Sequence, residues 1–511
     1  MKRAFLSVVM AALWAVMTAE AGAQDAAHSD KAPIITIDRG KLQGFEENGV
    51  LRFFGIPYAA PPVGDLRWKA PQPVKPWQGV RQATEFGPIC RQISALKSRQ
   101  SEDCLTLNVS APIRKATQAY PVLVWIHGGG LNQGSGSDWG LYGKSLVDRG
   151  MIVVTINYRL GVFGFFAHPE LEAEAPDHIS GNQGFRDQIA ALQWVKSNIA
   201  AFGGDPNCVT IAGASAGGGS VAALTVSPLA KGLFQRAIAE SGVAMSLPEK
   251  VTAEKARIDF AQALQAPHIA ELRKLNADDL LKQNSQPLPD IDGVVFIEHP
   301  QQSFAAGHQN NVPILLGWNA DEGVDIASTF FGSQDVTAAN YEALLHKTFG
   351  PEIPAIIQKQ YPGKSDEEAK NSTIQLAIDI MGLMHFSWAT MQEKTKTKPA
   401  YLYYFVHSPA EPPKEYPCTY GCKAGHGAEI RFAYDQLEPR NWTEDDKMLA
   451  SQMLGYWTNF AKTGNPNGAG LPEWKAFDGT PDSVKRLGST KEIKERGHFP
   501  DFRQYLFMMP Q

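Results

Sequence analysis

The 511-residue chain is 43% hydrophobic and 20% charged, an ordinary globular balance. A net charge of -5, a pI near 6.2 and the lack of any basic block exclude a nucleic-acid-binding footprint. The 34 prolines and 46 glycines are spread along the chain, which implies many loops on one large scaffold and not a disordered linker.

The chain opens on a targeting pattern. Lys2 and Arg3 precede an apolar run from Ala4 to Met17 that is too short to cross a bilayer. Ala21-Gly22-Ala23 offers an A-x-A cleavage site, so residues 1–23 read as a signal peptide and Gln24 begins the mature chain. Ala19-Glu20-Ala21 is a second possible site. The short, Ala-rich form points to a bacterial protein in the periplasm or the medium. No later stretch is long and apolar enough to cross a membrane.

Export permits disulfides. Cys90 and Cys104 flank one short polar loop, and Cys418 and Cys422 flank another. Cys208 is left over and reads as a buried free thiol. Closing the Cys90–Cys104 loop contributes about 3 kcal/mol in the chain-entropy picture. A metal site needs clustered Cys and His, and only His426 lies near a cysteine pair, so no metal or other cofactor is expected.

Residues 24–33 read as a flexible mature N-terminus. Ile34 to Ile37 and Leu51 to Ile56 read as strands at one edge of a sheet, and Pro57 to Pro76 as an extended, turning segment. Leu105 to Val109 and Val122 to Ile126 are further strands. His127-Gly128-Gly129-Gly130 follows the latter directly, and a triple glycine there lets backbone N–H groups approach and face an anion. Met151 to Asn157 is another buried strand. Phe185 to Phe202 is an amphipathic helix, with Ile189, Leu192, Val195 and Ile199 at helical spacing.

Next comes the most informative stretch. Val209 to Ala212 is a short apolar, mostly β-branched strand, Gly213-Ala214-Ser215-Ala216-Gly217 is a G-x-S-x-G turn, and Val221 to Leu224 suits a packed helix. Strand, tight turn and helix form the context of a nucleophile elbow, which exposes the serine hydroxyl at the positive end of a helix. Ala237 to Glu240, Ile314 to Gly317 and Tyr401 to Val406 complete a series of strands separated by helices. The pattern predicts an α/β fold with a mostly parallel sheet covered on both faces. The more polar, more helical stretches at about 246–311 and 324–400 read as insertions over the C-terminal ends of the strands, where ligand crevices of open α/β sheets lie.

A serine nucleophile needs a base, and the base an orienting acid. In this architecture the chain order is Ser, acid, His. Asp321 and Glu322 follow the strand that begins at Ile314, and spacing alone does not choose between them. His426, between Gly425 and Gly427, follows the strand that begins at Tyr401; His407, at the end of that strand, is its rival.

At this point the chain resembles the type B carboxylesterases, the α/β-hydrolase family that includes bacterial para-nitrobenzyl esterases, mammalian carboxylesterases and cholinesterases. The resemblance spans nearly the whole mature chain. It rests on FFGIPYAAPPVGDLRWKAPQP (53–73), SEDCLTLNV (101–109), WIHGGG (125–130), NYRLGVFGF (157–165), GNQGFRDQIAALQWVKSNIAAFGGDP (181–206), the elbow, GWNADEG (317–323) and AGHGAEI (424–430), all in order. It implies a single α/β-hydrolase catalytic domain over residues 24–511, with Ser215 as nucleophile, Glu322 as acid and His426 as base. It further implies oxyanion donors on Gly129, Gly130 and Ala216, a Cys90–Cys104 disulfide, and Ser241 as a small polar group behind the site.

The implied activity is hydrolysis of a small carboxylic ester, without cofactor. Two alternatives stand beside it: a lipase-like or specialised aromatic, toxin or polyester hydrolase with the same triad, and a non-catalytic adhesion module of the same fold. Three departures are visible. Ala214 stands where the family usually has Glu, Cys208 replaces a more ordinary residue, and the Cys418–Cys422 pair is not general to the family. The Cys90–Cys104 loop is short and lacks Trp, which argues against a choline-ester specialist; its Arg91, Lys97 and Arg99 disfavour a cationic substrate. Asn-x-Ser/Thr sequons occur at Asn108, Asn371 and Asn441.

Overall fold

A computed structural model describes residues 33–506, except 95–98, 115–116, 139–142, 244–257, 284–288, 333, 396, 410–422 and 438–441. The proposed signal peptide and the Cys418–Cys422 pair lie outside the described residues.

The molecule is built on one ten-stranded sheet. Its strands are β1 (Phe45–Glu47), β2 (Val50–Pro57), β3 (Thr106–Pro112), β4 (Tyr120–Ile126), β5 (Ile152–Ile156), β6 (Gly204–Ala214), β7 (Arg236–Glu240), β8 (Ile314–Asn319), β9 (Ala400–Phe405) and β10 (Lys485–Leu487). The spatial order is β10-β9-β8-β7-β6-β4-β5-β3-β2-β1. From β10 to β5 all neighbours are parallel, and β3, β2 and β1 add an antiparallel edge. The sheet is therefore mostly parallel, as the alternation of strands and helices predicts.

Strand β4 explains why both faces must be covered. Val122, Val124 and Ile126 join the core on one face, while Leu123 and Trp125 join the core on the other, and all five are buried. Helices α1 (Gln183–Asn198) and α2 (Ala216–Val226) pack on the first face. Helix α1 buries Ile189, Leu192 and Val195, and its continuation as a tight turn ends at Gly203, whose left-handed φ of 88° stops it. Helices α3 (Gly323–Phe331) and α4 (Asp366–Thr395) lie on the same side. Helix α5 (Glu444–Thr463) covers the second face with Met453, Leu454, Trp457 and Phe460. Helix α6 (Thr490–Arg496) follows β10.

Two sequence expectations need correction. Ile34–Ile37 forms no part of the main sheet; it pairs with Gly40–Gln43 in a separate three-stranded sheet completed by Val80–Gln82. Alternation identifies a strand but not its partner. Roughly the last 70 residues read from the sequence as helix and closing turns, yet they also contain a strand, β10, whose three residues are too few to show a period. Among the described residues no helix is long and apolar enough to cross a membrane.

Candidate active site

Four neighbouring parallel strands deliver the sequence-predicted groups to one edge of the sheet. Ser215 directly follows β6, Ser241 follows β7, Glu322 follows β8 within three residues, and the segment leaving β9 returns with His426. All lie at the C-terminal ends, where parallel strands open the crevice of an α/β sheet.

The turn at Ser215 is strained. Its φ of 57° and ψ of -125° place a non-glycine residue on the positive-φ side, a conformation held only when its surroundings enforce it. The Ser215 N–H donates to the Glu240 carbonyl at 2.8 Å, and the Ser215 carbonyl accepts from Gly219 N–H at 2.9 Å, the first bond of α2. Gly217 shows why the turn needs small residues. A Cβ there would lie 2.1 Å from the Ile126 carbonyl oxygen, so the elbow and β4 touch backbone to backbone.

The glycine loop folds beside this turn. Gly129 has φ 101° and Gly130 φ 63°, and the Gly129 carbonyl accepts from the N–H groups of Asn132 and Gln133. Among the described residues, the N–H groups of Gly129, Gly130 and Ala216 donate no hydrogen bond. Ala216 is the first residue of α2, whose N–H has no partner within the helix. His127 anchors the start of the loop. Its ring stacks on Tyr158 at 4.3 Å, its Nδ1–H donates to Gly128 O at 2.8 Å, and its carbonyl accepts from Tyr158 OH at 2.9 Å. Burial holds its imidazole below the usual histidine range and so neutral.

Glu322 is wholly buried and the His426 side chain is 19% exposed. Glu322 Oε2 lies 2.8 Å from His426 Nδ1, and Oε1 accepts from Asn319 N–H at 3.1 Å. A carboxylate only accepts, so the imidazole carries its proton on Nδ1 and presents Nε2. Burial alone would depress the His426 imidazole; the hydrogen bond and charge of Glu322, with the charges of Glu429 and Asp325, outweigh it and raise the group above 6.5. Among the described residues no hydrogen bond joins Ser215 Oγ to His426; in substrate-free hydrolases this bond is often long and closes in the complex. Chemically, the edge assembles a hydroxyl on a strained turn, an acid-oriented imidazole and three undedicated N–H donors. Those are the parts of an acyl-transfer site.

The model of the carboxylesterase family matches residues 31–502. The chain belongs to the carboxylesterase family. It is 38% identical over 482 residues to para-nitrobenzyl esterase of Bacillus subtilis, an alignment spanning 87% of this chain and 92% of that one. It is 35% identical to human carboxylesterase 3, over 83% of this chain and 81% of the relative. A solved PNB esterase superposes with a TM-score of 0.75 at 36% identity, covering 91% of this chain and 99% of that chain. The fold is accordingly that of the α/β-hydrolases.

The structure places the other predicted groups with different outcomes. The Cys90–Cys104 disulfide is present, with Cα atoms 5.0 Å apart. Ser241 Oγ donates to Glu429 Oε1 at 3.1 Å. His407, the rival histidine, is consumed elsewhere: its ring nitrogens lie 2.6 Å from Asp446 and 2.9 Å from Glu492. Asp321 does not touch the imidazole; its carboxylate pairs with Arg496 and accepts from Ala424 N–H. Cys208 is free but half-buried, not buried, and accepts from Arg236 Nη1 at 3.3 Å. Arg91 is tied to Asp278 in an ion pair and is not a free charge over the site, and Lys97 lies outside the described residues. The Asn108 sequon is buried: its side-chain amide bonds Gly55, Gly136 and Thr155, leaving no room for a glycan. Asn371 is exposed on α4, and Asn441 lies outside the described residues.

Several contributing residues carried no sequence signal. Gln92 forms two bonds with the backbone of Gly134, accepting from its N–H at 2.9 Å and donating to its carbonyl at 3.0 Å, and donates also to Cys90 O at 3.1 Å. The disulfide loop thus grips the far end of the glycine loop. Behind the site sit two more buried carboxyls. Glu429 Oε1 also accepts from Tyr403 OH, and its Oε2 accepts from Asn319. Glu240 Oε1 accepts from Tyr434 OH at 3.0 Å and Trp457 Nε1–H at 2.6 Å. Burial pushes both acids up, and the charge of Glu429 pushes Glu240 further, so the pair resists carrying two charges. Ala214 sits directly opposite Glu240 across β6 and β7, so the family's usual Glu would bring one more carboxyl beside them. Finally His385, on α4, accepts from Gly242 N–H at 3.3 Å and is pushed down to about 4 by burial.

Proposed function

We propose that this chain is a serine carboxylic-ester hydrolase working through an acyl-enzyme on Ser215. The observation that carries the proposal is the convergence, at one sheet edge, of the strained Ser215 elbow, the Glu322–His426 pair and the three undedicated amides of Gly129, Gly130 and Ala216. His426 takes the Ser215 proton as the oxygen attacks the ester carbonyl. The carbonyl oxygen becomes an oxyanion received by the three N–H groups. When the intermediate collapses, the alcohol departs with the proton from His426. Water, deprotonated by the same imidazole, then attacks the acyl-serine and releases the acid. Glu322 keeps the imidazole in the Nδ1–H tautomer and stabilises the imidazolium throughout.

The described parts of the stretch at about 324–400 wall the approach to the serine in this reading, and the stretch at about 246–311 is assigned the same place. Helix α3 beginning one residue after Glu322, and α4 placing His385 against Gly242, support it. The substrate class in this reading is a small-molecule carboxylic ester. The leader of residues 1–23 directs the chain out of the cytoplasm, with Gln24 as the mature N-terminus, and the Cys90–Cys104 disulfide fits an oxidising compartment. The test is para-nitrophenyl acetate turnover by Ser215→Ala. Loss of at least about a thousandfold in kcat is expected, and full turnover by the variant would show the assignment to be wrong.

A further inference from the structure

His426 does not sit on a strand. It arrives on a segment that leaves β9 after Phe405 and returns at Ala424, so something must hold that segment if Nδ1 is to meet Glu322 at 2.8 Å. Both of its ends are held by the same short helix. At the exit, Glu492 of α6 accepts from Ser408 N–H at 2.6 Å and meets His407 Nδ1, while Arg496 donates to Val406 O at 3.2 Å and to Ser408 Oγ. At the return, Arg496 pairs with the Asp321 carboxylate. Asp321 in turn makes a two-bond bridge to Ala424: its own N–H donates to Ala424 O at 2.8 Å, and its Oδ2 accepts from Ala424 N–H at 2.9 Å.

The bridge sits one residue before Glu322 on one side and two before His426 on the other. It therefore fixes the backbone spacing of the two loops whose side chains meet. Two further bonds finish the docking: Asn319 donates to Gly425 O at 2.8 Å, and His426 N–H donates to Asp325 Oδ2 at 3.1 Å. Asp321 and Arg496 are each about a quarter exposed, so the pair is partly shielded from solvent.

We propose that Asp321 and Arg496 are positioning residues of the hydrolase, a clasp through which helix α6 sets the Glu322–His426 contact. The proposal rests on the reading of His426 as the catalytic base. The acid adjacent to Glu322 then has a task of its own: Glu322 binds the ring and Asp321 binds the loop that brings it. Displacing a base by as little as 1 Å costs up to about a hundredfold in rate.

The test compares kcat, KM and the acid limb of the pH profile on para-nitrophenyl acetate for the wild type, Arg496→Gln, Asp321→Asn, their double variant and Arg496→Lys. The groups facing His426 whose charge enters that limb are Glu322, Glu429 and Asp325, with His385 behind. The clasp predicts a loss of about tenfold to a hundredfold in kcat for each single variant, with KM nearly unchanged. The acid limb moves down as the Glu322 contact loosens, the double variant is no worse than the poorer single, and Arg496→Lys recovers part of the rate. Wild-type kcat and an unmoved acid limb in Asp321→Asn and Arg496→Gln, with only thermal stability lowered, would overturn the clasp. If Arg496→Gln does not fold, the isosteric Asp321→Asn decides between the same two outcomes. Ser215→Ala and His426→Ala run alongside: full activity in either sinks the underlying reading, whereas inactive controls with fully active clasp variants sink the clasp alone.

Discussion

The two halves of the proposed active site are held together by different physics. The nucleophile half, Ser215 with the His127–Gly130 loop, is held mainly by backbone, with the side chains of His127 and Gln92 at the two ends of the loop. Its geometry comes from strand ends, glycines without room for a Cβ, and main-chain bonds such as Ser215 N–H to Glu240 O. The base half, Glu322 and His426, is made of charged side chains: Asp321, Asp325, Arg496, Glu429 and Glu492 hold or surround it. The contrast follows from where each half starts. Ser215 is rooted one residue beyond a strand, whereas His426 lies 21 residues after the end of β9 and is held by side chains.

The two halves should therefore break differently. The largest effects come from the chemistry and the steric floor. His426→Ala is expected to cost at least about a thousandfold in kcat with the fold intact, read by steady-state kinetics and circular dichroism. Gly217→Ala attacks the backbone half instead. Its new Cβ meets a carbonyl oxygen that has no side chain to move aside, so a loss of about 3 kcal/mol or more of stability is expected, read by calorimetry. If Gly217→Ala kept the wild-type melting temperature, the backbone half would not be packed as described.

A smaller effect tests how the disulfide loop supports the oxyanion side. Gln92→Ala removes both bonds to Gly134 and should lower kcat about tenfold, with KM nearly constant. Loss confined to stability would uncouple that loop from the reaction.

The pH profile probes the base half alone. Activity needs the neutral imidazole, and the carboxylates around His426 raise it above 6.5, so kcat/KM should rise with pH through a value above 6.5. Glu322→Gln removes the charge that contributes most to raising the imidazole and should shift that limb downward. The sign for stability is opposite to that for activity. A histidine raised on folding stabilises the fold at low pH, and that contribution fades as pH rises through the folded value.

Glu240→Gln should do least. The carboxyl is already pushed toward its neutral form, and the amide oxygen can still accept from Tyr434 and Trp457. A change below about 1 kcal/mol at pH 7 is expected by chemical denaturation. A large loss would mean that the buried acid carries charge.

The same contrast decides what the sequence made legible. Elements written in local patterns could be read directly: the strand–turn–helix around Ser215, the glycine run after β4 and the periodicity of α1. The base half was legible only in its end members. Spacing left Asp321 and Glu322 equivalent, because their difference is which loop each faces, a property of the folded edge. Gln92, Glu240 and Arg496 act by meeting residues scores to hundreds of positions away, and nothing in their neighbourhoods marks them; Glu429 falls inside the AGHGAEI motif, which does not show its partners. Ile34–Ile37 was readable as a strand but not as a member of the smaller sheet, since alternation does not encode a partner.

In the proposed mechanism Ser215 is the one acylated group. Intact mass and peptide mapping after reaction with an organophosphate ester test it most directly. One adduct per chain is expected, on the peptide bearing Ser215, appearing as esterase activity disappears and absent from Ser215→Ala. An adduct on another residue, or undiminished ester turnover by a protein fully modified at Ser215, would contradict it.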